Sequence, residues 1–202
     1  MPSPFQPIPG TQSSPRGLFV DHWGTLLCTP SAGFAQHPDE VEFSAGALEA
    51  LFQAKRQGWN IYLIGNEASV TSGQLDFTRW QEVEDHVVNT MHRHGVPIQR
   101  NYICIDDPEG RKPHNKDSVY MLPNTGAMYH ATQEDGIVLS ASWVIGDGPL
   151  ELAAGWRAGC RTVGVNMSGV AGEGGLQVEP EVLADDLAHG LSQVASGVAI
   201  SR

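Results

Sequence analysis

The stretch Gly17–Leu27, GLFVDHWGTLL, decides the fold. Its first part, Gly17–Asp21 (GLFVD), is a short apolar run that ends in an acid. Such a run suits a strand buried on both faces of a parallel sheet. Gly24 and Thr25 follow in a tight turn whose backbone N–H groups suit an anion. Outward from this stretch the pattern recurs. Asn60–Ile64 (NIYLI), Tyr102–Ile105 (YICI), Trp143–Ile145 and Arg161–Val165 (RTVGV) read as further strands. Helical periodicity fills the intervals. It predicts a helix opened by Ser44, carrying Leu48, Leu51 and Phe52, and closed by Gly58. Further helices are expected over Leu75–His94, from a cap at Asn124 or Thr125 to Gly136, over Leu150–Ala158, and over Glu179–Ala195 as a closing helix. Asn66–Gly73 and Asp106–Pro123 read as loops. Trp59, Trp80, Trp143 and Trp156 read as buried or half-buried anchors.

Strands that alternate with helices imply an α/β fold, a Rossmann-like three-layer sandwich around a central parallel sheet with right-handed crossovers. Ligands then bind outside the carboxyl ends of the strands. That rule places the chemistry at Asp21, Gly65–Asn66, the loop after Ile105, and Asp147.

A length of 202 residues suits one domain, here 17–202, behind a flexible leader over 1–16 rich in Pro, Ser and Gln. The net charge of −11, with no cluster of Lys or Arg, argues against nucleic acid and anionic membrane as partners. It leaves room for a small anionic substrate, since a metal and a few cations reverse the field inside one cleft. No segment approaches ~20 consecutive apolar residues, so no membrane span is expected. The three cysteines, Cys28, Cys104 and Cys160, form no CxxC pair, which favours a reducing, cytoplasmic setting over a disulfide framework. Nothing in the sequence fixes the oligomeric state.

Asp21 and Asp147 both follow apolar strands, and two carboxylates that converge at a sheet edge repel unless a cation lies between them. Hard oxygen ligands suit Mg²⁺. Glu151, four residues beyond Asp147 on the next helix, suits a metal-bound water. Lys112 follows the third strand and suits charge balance on Asp21 or on a transferring group. A carboxylate, cations and an N–H nest together suit attack by Asp21 on an electrophile. Each feature alone has a plainer reading as a turn or a solvated loop. Their order along consecutive strand ends is what raises them to a site.

These same residues carry a family resemblance. FVDHWGTLL (Phe19–Leu27) resembles the first motif of the haloacid dehalogenase (HAD) superfamily, D-x-D-G-T-L. LIGNEA (Leu63–Ala68) and RKPH (Arg111–His114) resemble the second and third motifs of its histidinol-phosphatase and heptose-bisphosphate-phosphatase branch. WVIGDGPLELAAGWRAGCRTVGV (Trp143–Val165) resembles the fourth motif and its helix. The match spans roughly residues 17–165, and the short segment after Asp21 leaves no room for a large cap domain, as in that branch. The resemblance implies Asp21 as a nucleophile that forms an aspartyl intermediate, with Thr25 and Lys112 beside it in the catalytic set. It implies Mg²⁺ held by Asp21, the backbone carbonyl of Trp23, Asp147, and Glu151 through water. It places Trp23, Gly24, Asn66 and Arg111 at the substrate, a small phosphorylated metabolite.

The pattern breaks in three places. Trp23 stands where a phosphatase of this family has the Asp that protonates the leaving oxygen and activates water; an indole N–H is a donor without a useful pKa. General acid–base catalysis contributes about 10²- to 10⁴-fold, so slow or altered phosphatase chemistry is expected. Gly65 stands where the family has Thr or Ser. Cys104 stands alone, without the Cys/His loop that holds structural zinc in the heptose-phosphatase branch, and residues 114–122 form an insertion that makes Lys116 a rival to Lys112. Two alternatives follow: a HAD-fold protein that binds its ligand without turnover as a regulator, or a dehalogenase or phosphonatase-like enzyme.

Overall fold

The structure is a computed structural model that describes residues 14–172 and 176–196. The chain lays down β1 (Arg16–Asp21), α1 (Ala47–Arg56), β2 (Trp59–Asn66), a single-turn α2 (Ala68–Thr71), α3 (Phe77–Arg93) and β3 (Arg100–Cys104). It continues with α4 (Gly126–Asp135), β4 (Trp143–Gly146), α5 (Pro149–Ala158), β5 (Arg161–Val165), β6 (Val182–Ala184) and α6 (Leu187–Ala195). All six strands form one parallel sheet in the order β3-β2-β1-β4-β5-β6. The order reverses between β1 and β4, which opens a crevice at the carboxyl ends of those two strands.

The alternation of side chains along each strand builds two cores. Leu18, Val20, Ile61, Leu63 and Ile145 face α1, α3 and α6, where they meet Leu51, Met91 and Leu191. Phe19, Tyr62, Ile64 and Val144 face α4 and α5, where they meet Met128, Ala131 and Ala154. A strand covered on both sides needs apolar residues at every position, which is why GLFVD and NIYLI read as continuous runs. The expected three-layer sandwich is the observed one. Residues 22–46 hold only a 3₁₀ turn at Pro38–Glu40, and residues 105–125 hold no helix or strand, so the described residues contain no cap domain.

Three expectations are corrected. The segment read as one closing helix, Glu179–Ala195, is split: Val182–Ala184 pairs with Val163–Val165 as a sixth strand, and the helix begins only at Leu187 under an Asp186 cap. A three-residue strand is too short to show a period of two. The loop read over Asn66–Gly73 contains α2, capped by Glu67. Trp156 is no anchor; it is 68% exposed, because α5 turns Leu152 and Gly155 inward instead. Of the expected leader, residues 1–13 lie outside the described residues, and Arg16 already opens β1 with its guanidinium 3.9 Å from the Trp59 ring centroid.

Helix α5 presses directly on β4. A Cβ on Gly155 would stand 2.5 Å from Val144 Cγ2, closer than two carbons tolerate. Gly155→Val is therefore expected to push α5 from the sheet and to destabilise the fold by about 2–3 kcal/mol, measured by urea unfolding. An unchanged midpoint would show that this helix–strand contact is slack.

Candidate active site

Strand pairing sets the site. Val20 pairs with Ile145, so Asp21 and Asp147 emerge side by side at the crevice between β1 and β4. Glu151, on the first turn of α5, joins them, and one carboxylate oxygen from each of the three lies within 4.8 Å of the others. Two glycines make this density feasible. Gly24 has φ +85, and a Cβ there would lie 2.0 Å from Asp147 Oδ2; a Cβ on Gly146 would collide with Glu151. Glu151 also accepts a hydrogen bond from the Gly148 backbone N–H, which fixes its carboxylate over the helix start.

The three acids disturb one another. Burial, reinforced by Glu151 and Asp147, raises the Asp21 carboxyl well above the usual range. Burial and the Asp147 charge push Glu151 up to about 7, against the pull of backbone hydrogen bonds. Asp147 is exposed as a residue, yet its carboxylate end is crowded against Gly24, and desolvation raises it too. The buried Thr25 hydroxyl lies beside Asp147 and draws that acid down slightly, though Oγ1 makes no well-formed hydrogen bond. Three hard oxygen donors that repel one another, with an orphan hydroxyl alongside, fit a divalent cation of the Mg²⁺ kind.

A cavity of about 170 Å³ opens above Asp21, lined by Asp21, His22, Trp23, Gly65, Asn66, Glu67, Ile103, Leu122, Leu150 and Glu151. Its size is below the ~300 Å³ usual for drug-sized ligands, so it has room only for a small group. Trp23 is half-buried, and its Nε1 donates to Glu67 Oε2 at 3.0 Å. Glu67 Oε1 accepts from the Ser69 N–H at 3.2 Å and from Ser69 Oγ at 2.6 Å. Asn66 spends its amide on Leu122, donating to the carbonyl at 2.9 Å and accepting from the N–H at 2.8 Å, which pins the 106–125 loop over the cavity. Gly65 sits below Asp21, where a Cβ would approach Asp21 Oδ1 to 3.4 Å.

The other residues singled out in the sequence do not line the cavity. Gly24 donates its N–H to the Leu27 carbonyl at 2.8 Å. Lys112 is exposed and forms no ion pair; Lys116 is exposed and pairs with Asp106 at 3.4 Å. Arg111 is exposed beside Gly73, its backbone N–H held by the Thr71 carbonyl. Among the described residues, no Lys or Arg lines the cavity.

Sequence reading missed Glu67 and the pair His22–Glu84. His22 follows Asp21 but turns to the α3 side of the sheet, where Nε2 comes within 3.2 Å of Glu84 Oε2 with both side chains buried. The approach lies off hydrogen-bond geometry, so the attraction is chiefly electrostatic. Burial lowers the His22 pKa, but Glu84 and Glu67 more than offset that and leave it raised. Burial likewise raises Glu84, and His22 with Asn101 brings it below its ordinary value. A signal existed: Trp80, Glu84, Val87 and Met91 share one face of α3, so Glu84 is an acid within an apolar stripe.

Comparison with known proteins finds relatives in sequence and in fold. No family model matches the chain. A D-glycero-β-D-manno-heptose-1,7-bisphosphate 7-phosphatase of Pasteurella multocida is 25% identical over 140 residues, 69% of this chain and 75% of the relative. A D-glycero-α-D-manno-heptose-1,7-bisphosphate 7-phosphatase of Burkholderia mallei is 26% identical over 148 residues, 73% of this chain and 77% of the relative. Among solved structures, D,D-heptose 1,7-bisphosphate phosphatase from B. bronchiseptica, complexed with magnesium and phosphate, superposes with a TM-score of 0.73 at 20% identity, covering 91% of this chain and 99% of that one. A HAD-like phosphatase structure from Mesorhizobium loti gives a TM-score of 0.74 at 22% identity, covering 94% and 90%. The fold is that of the HAD superfamily, and the resemblance to its heptose-bisphosphate-phosphatase branch holds.

Two outcomes follow. An acid whose folded pKa is raised removes stability as pH climbs from its unfolded value, 3.8 for Asp and 4.5 for Glu, through its folded value, about 7 for Glu151. Metal-free protein is expected to melt lower at about pH 7.5 than at about pH 5, less so in Glu151→Gln. Millimolar Mg²⁺ should raise Tm mainly at the higher pH; an equal rise at both would sink the carboxylate-cluster account. Glu84→Gln removes the buried carboxylate that holds the His22 pKa up and leaves Nε2 without its partner, and should cost about 1–3 kcal/mol, read by chemical denaturation.

Proposed function

We propose that this chain, a HAD-type fold related in sequence to heptose-bisphosphate phosphatases, is a Mg²⁺-dependent hydrolase of a small phosphorylated metabolite that works through Asp21. The observation that carries the reading is the cluster of Asp21, Asp147 and Glu151 at the strand crossover point, opening on a cavity of phosphoryl size. When bound, the metal offsets the charge of these acids and of the incoming phosphoryl group, which lets two anions meet. Asp21, Asp147 and the Trp23 carbonyl are its direct ligands in this reading, with Glu151 acting through water.

Asp21 stands at the rigid end of a central strand, so its carboxylate is aimed with little freedom to lose. Its oxygen attacks phosphorus, and the bond to the leaving oxygen breaks. Water then attacks the aspartyl phosphate and regenerates the carboxylate. Lys112 is the charge-balancing group that the resemblance implies; it is exposed on the 106–122 loop and outside the cavity lining, so in this reading the metal carries the charge balance. Both steps are slow where a proton must be given or taken, because Trp23 holds the position of the acid–base residue. The lock of Trp23 onto Glu67 also supports a second reading, a HAD-fold protein that retains a phosphorylated ligand without turnover.

The test is phosphate release from an activated aryl phosphate with Mg²⁺, comparing wild type with Asp21→Asn. An Asp21-dependent burst or turnover is expected, and Trp23→Asp should raise steady-state turnover by about 10²-fold or more. No reaction and no Asp21-dependent labelling in folded protein would leave the binding reading standing.

A further inference from the structure

Resting on the phosphotransfer reading, we propose that the substrate is a phosphate whose leaving group departs as a stabilised anion, an aryl, enol or acyl phosphate, and not an alkyl phosphate such as a sugar phosphate. The argument is an inventory of proton donors. Four titratable side chains line the cavity: Asp21, His22, Glu67 and Glu151. Asp21 is the nucleophile, and Glu151 is committed to the acid cluster. Glu67 accepts hydrogen bonds at both oxygens, from Trp23 Nε1 and from Ser69. His22 is 2% exposed and directs Nε2 at Glu84 on the far face of the sheet. The other polar side chain on the wall, Asn66, is saturated by Leu122.

Trp23 itself turns its N–H to Glu67, so it offers the cavity ring carbon in place of a donor. Ile103, Leu122 and Leu150 complete an apolar wall. Among the described side chains that line this space, none is free to protonate a leaving oxygen. An alkoxide leaves poorly without a proton. A phenolate, enolate or carboxylate carries its electron pair away unaided. The balanced step is formation of the Asp21 oxygen–phosphorus bond with loss of the bond from phosphorus to the leaving oxygen, both electrons staying on that oxygen. Water then cleaves the aspartyl phosphate and its proton passes to solvent. With no base at position 23 this second step lags, and the covalent intermediate accumulates.

The experiment is a leaving-group series with Mg²⁺: p-nitrophenyl phosphate, phenyl phosphate, acetyl phosphate and glucose 6-phosphate, on wild type, Asp21→Asn and Trp23→Asp. Wild type is expected to consume the activated phosphates at least about 100-fold faster than the sugar phosphate, with a burst of one equivalent that Asp21→Asn abolishes. Trp23→Asp should flatten the series by accelerating the sugar phosphate most. Asp21-dependent hydrolysis of the sugar phosphate within about ten-fold of the aryl phosphates would overturn the substrate class while leaving the phosphatase reading intact. Absence of any Asp21-dependent reaction across the series would overturn both. The wild-type series decides the matter even where Trp23→Asp fails to fold.

Discussion

The repulsion among Asp21, Asp147 and Glu151 is the constraint around which the carboxyl edge of the sheet is arranged. Strand register brings the first two together, and the first turn of α5 brings the third. Each is raised above its ordinary pKa, first by burial, with neighbouring carboxylates adding to the rise at Asp21 and Glu151. A fold does not hold such a cluster cheaply. The close approach of Gly24 to Asp147 and of Gly146 to Glu151 shows that backbone was cleared to permit it. Stability and the proposed cation binding are therefore one question at this edge, since both turn on the same three carboxyls.

On the opposite face, the same strand end meets a contrasting arrangement. His22 and Glu84 satisfy each other's charge in a buried pair, and Asn101 adds a hydrogen bond to Glu84. This ties the residue after Asp21 to α3, and through Asn101 to β3 at the sheet edge. A buried pair adds little net stability over apolar packing. Its consequence here is positional: the backbone after Asp21 is anchored on one side by His22 and on the other by the return of the turn to the Asp21 and His22 carbonyls.

Much of this was legible because burial on both sheet faces leaves a continuous apolar signal. Phe19–Asp21, Tyr62–Ile64 and Trp143–Ile145 announced the central strands, and the rule for parallel sheets placed Asp21 and Asp147 together before any contact was known. The sixth strand was hidden because Val182–Ala184 is too short for periodicity to speak and lies next to a strong helical pattern. Glu67 was hidden for another reason. Its partner Trp23 lies 44 residues away, and nothing local marks a loop acid as buried. Glu84 could have been found, since an acid in the Trp80–Val87–Met91 stripe demands a buried partner.

The similarity to heptose-bisphosphate phosphatases extends over 69–73% of this chain. The wall above Asp21 comes from the turn that follows it and from the loops, here Trp23, Glu67 and Leu122. Trp23 and Glu67 are best understood as one unit. A partly buried indole N–H needs an acceptor, and a buried carboxylate needs donors. Replacing Trp23 alone takes one of three donors from a side chain that is 4% exposed; replacing Glu67 alone orphans the indole. The pair is thus a self-consistent wall beside Asp21, in which each side chain supplies what the burial of the other requires.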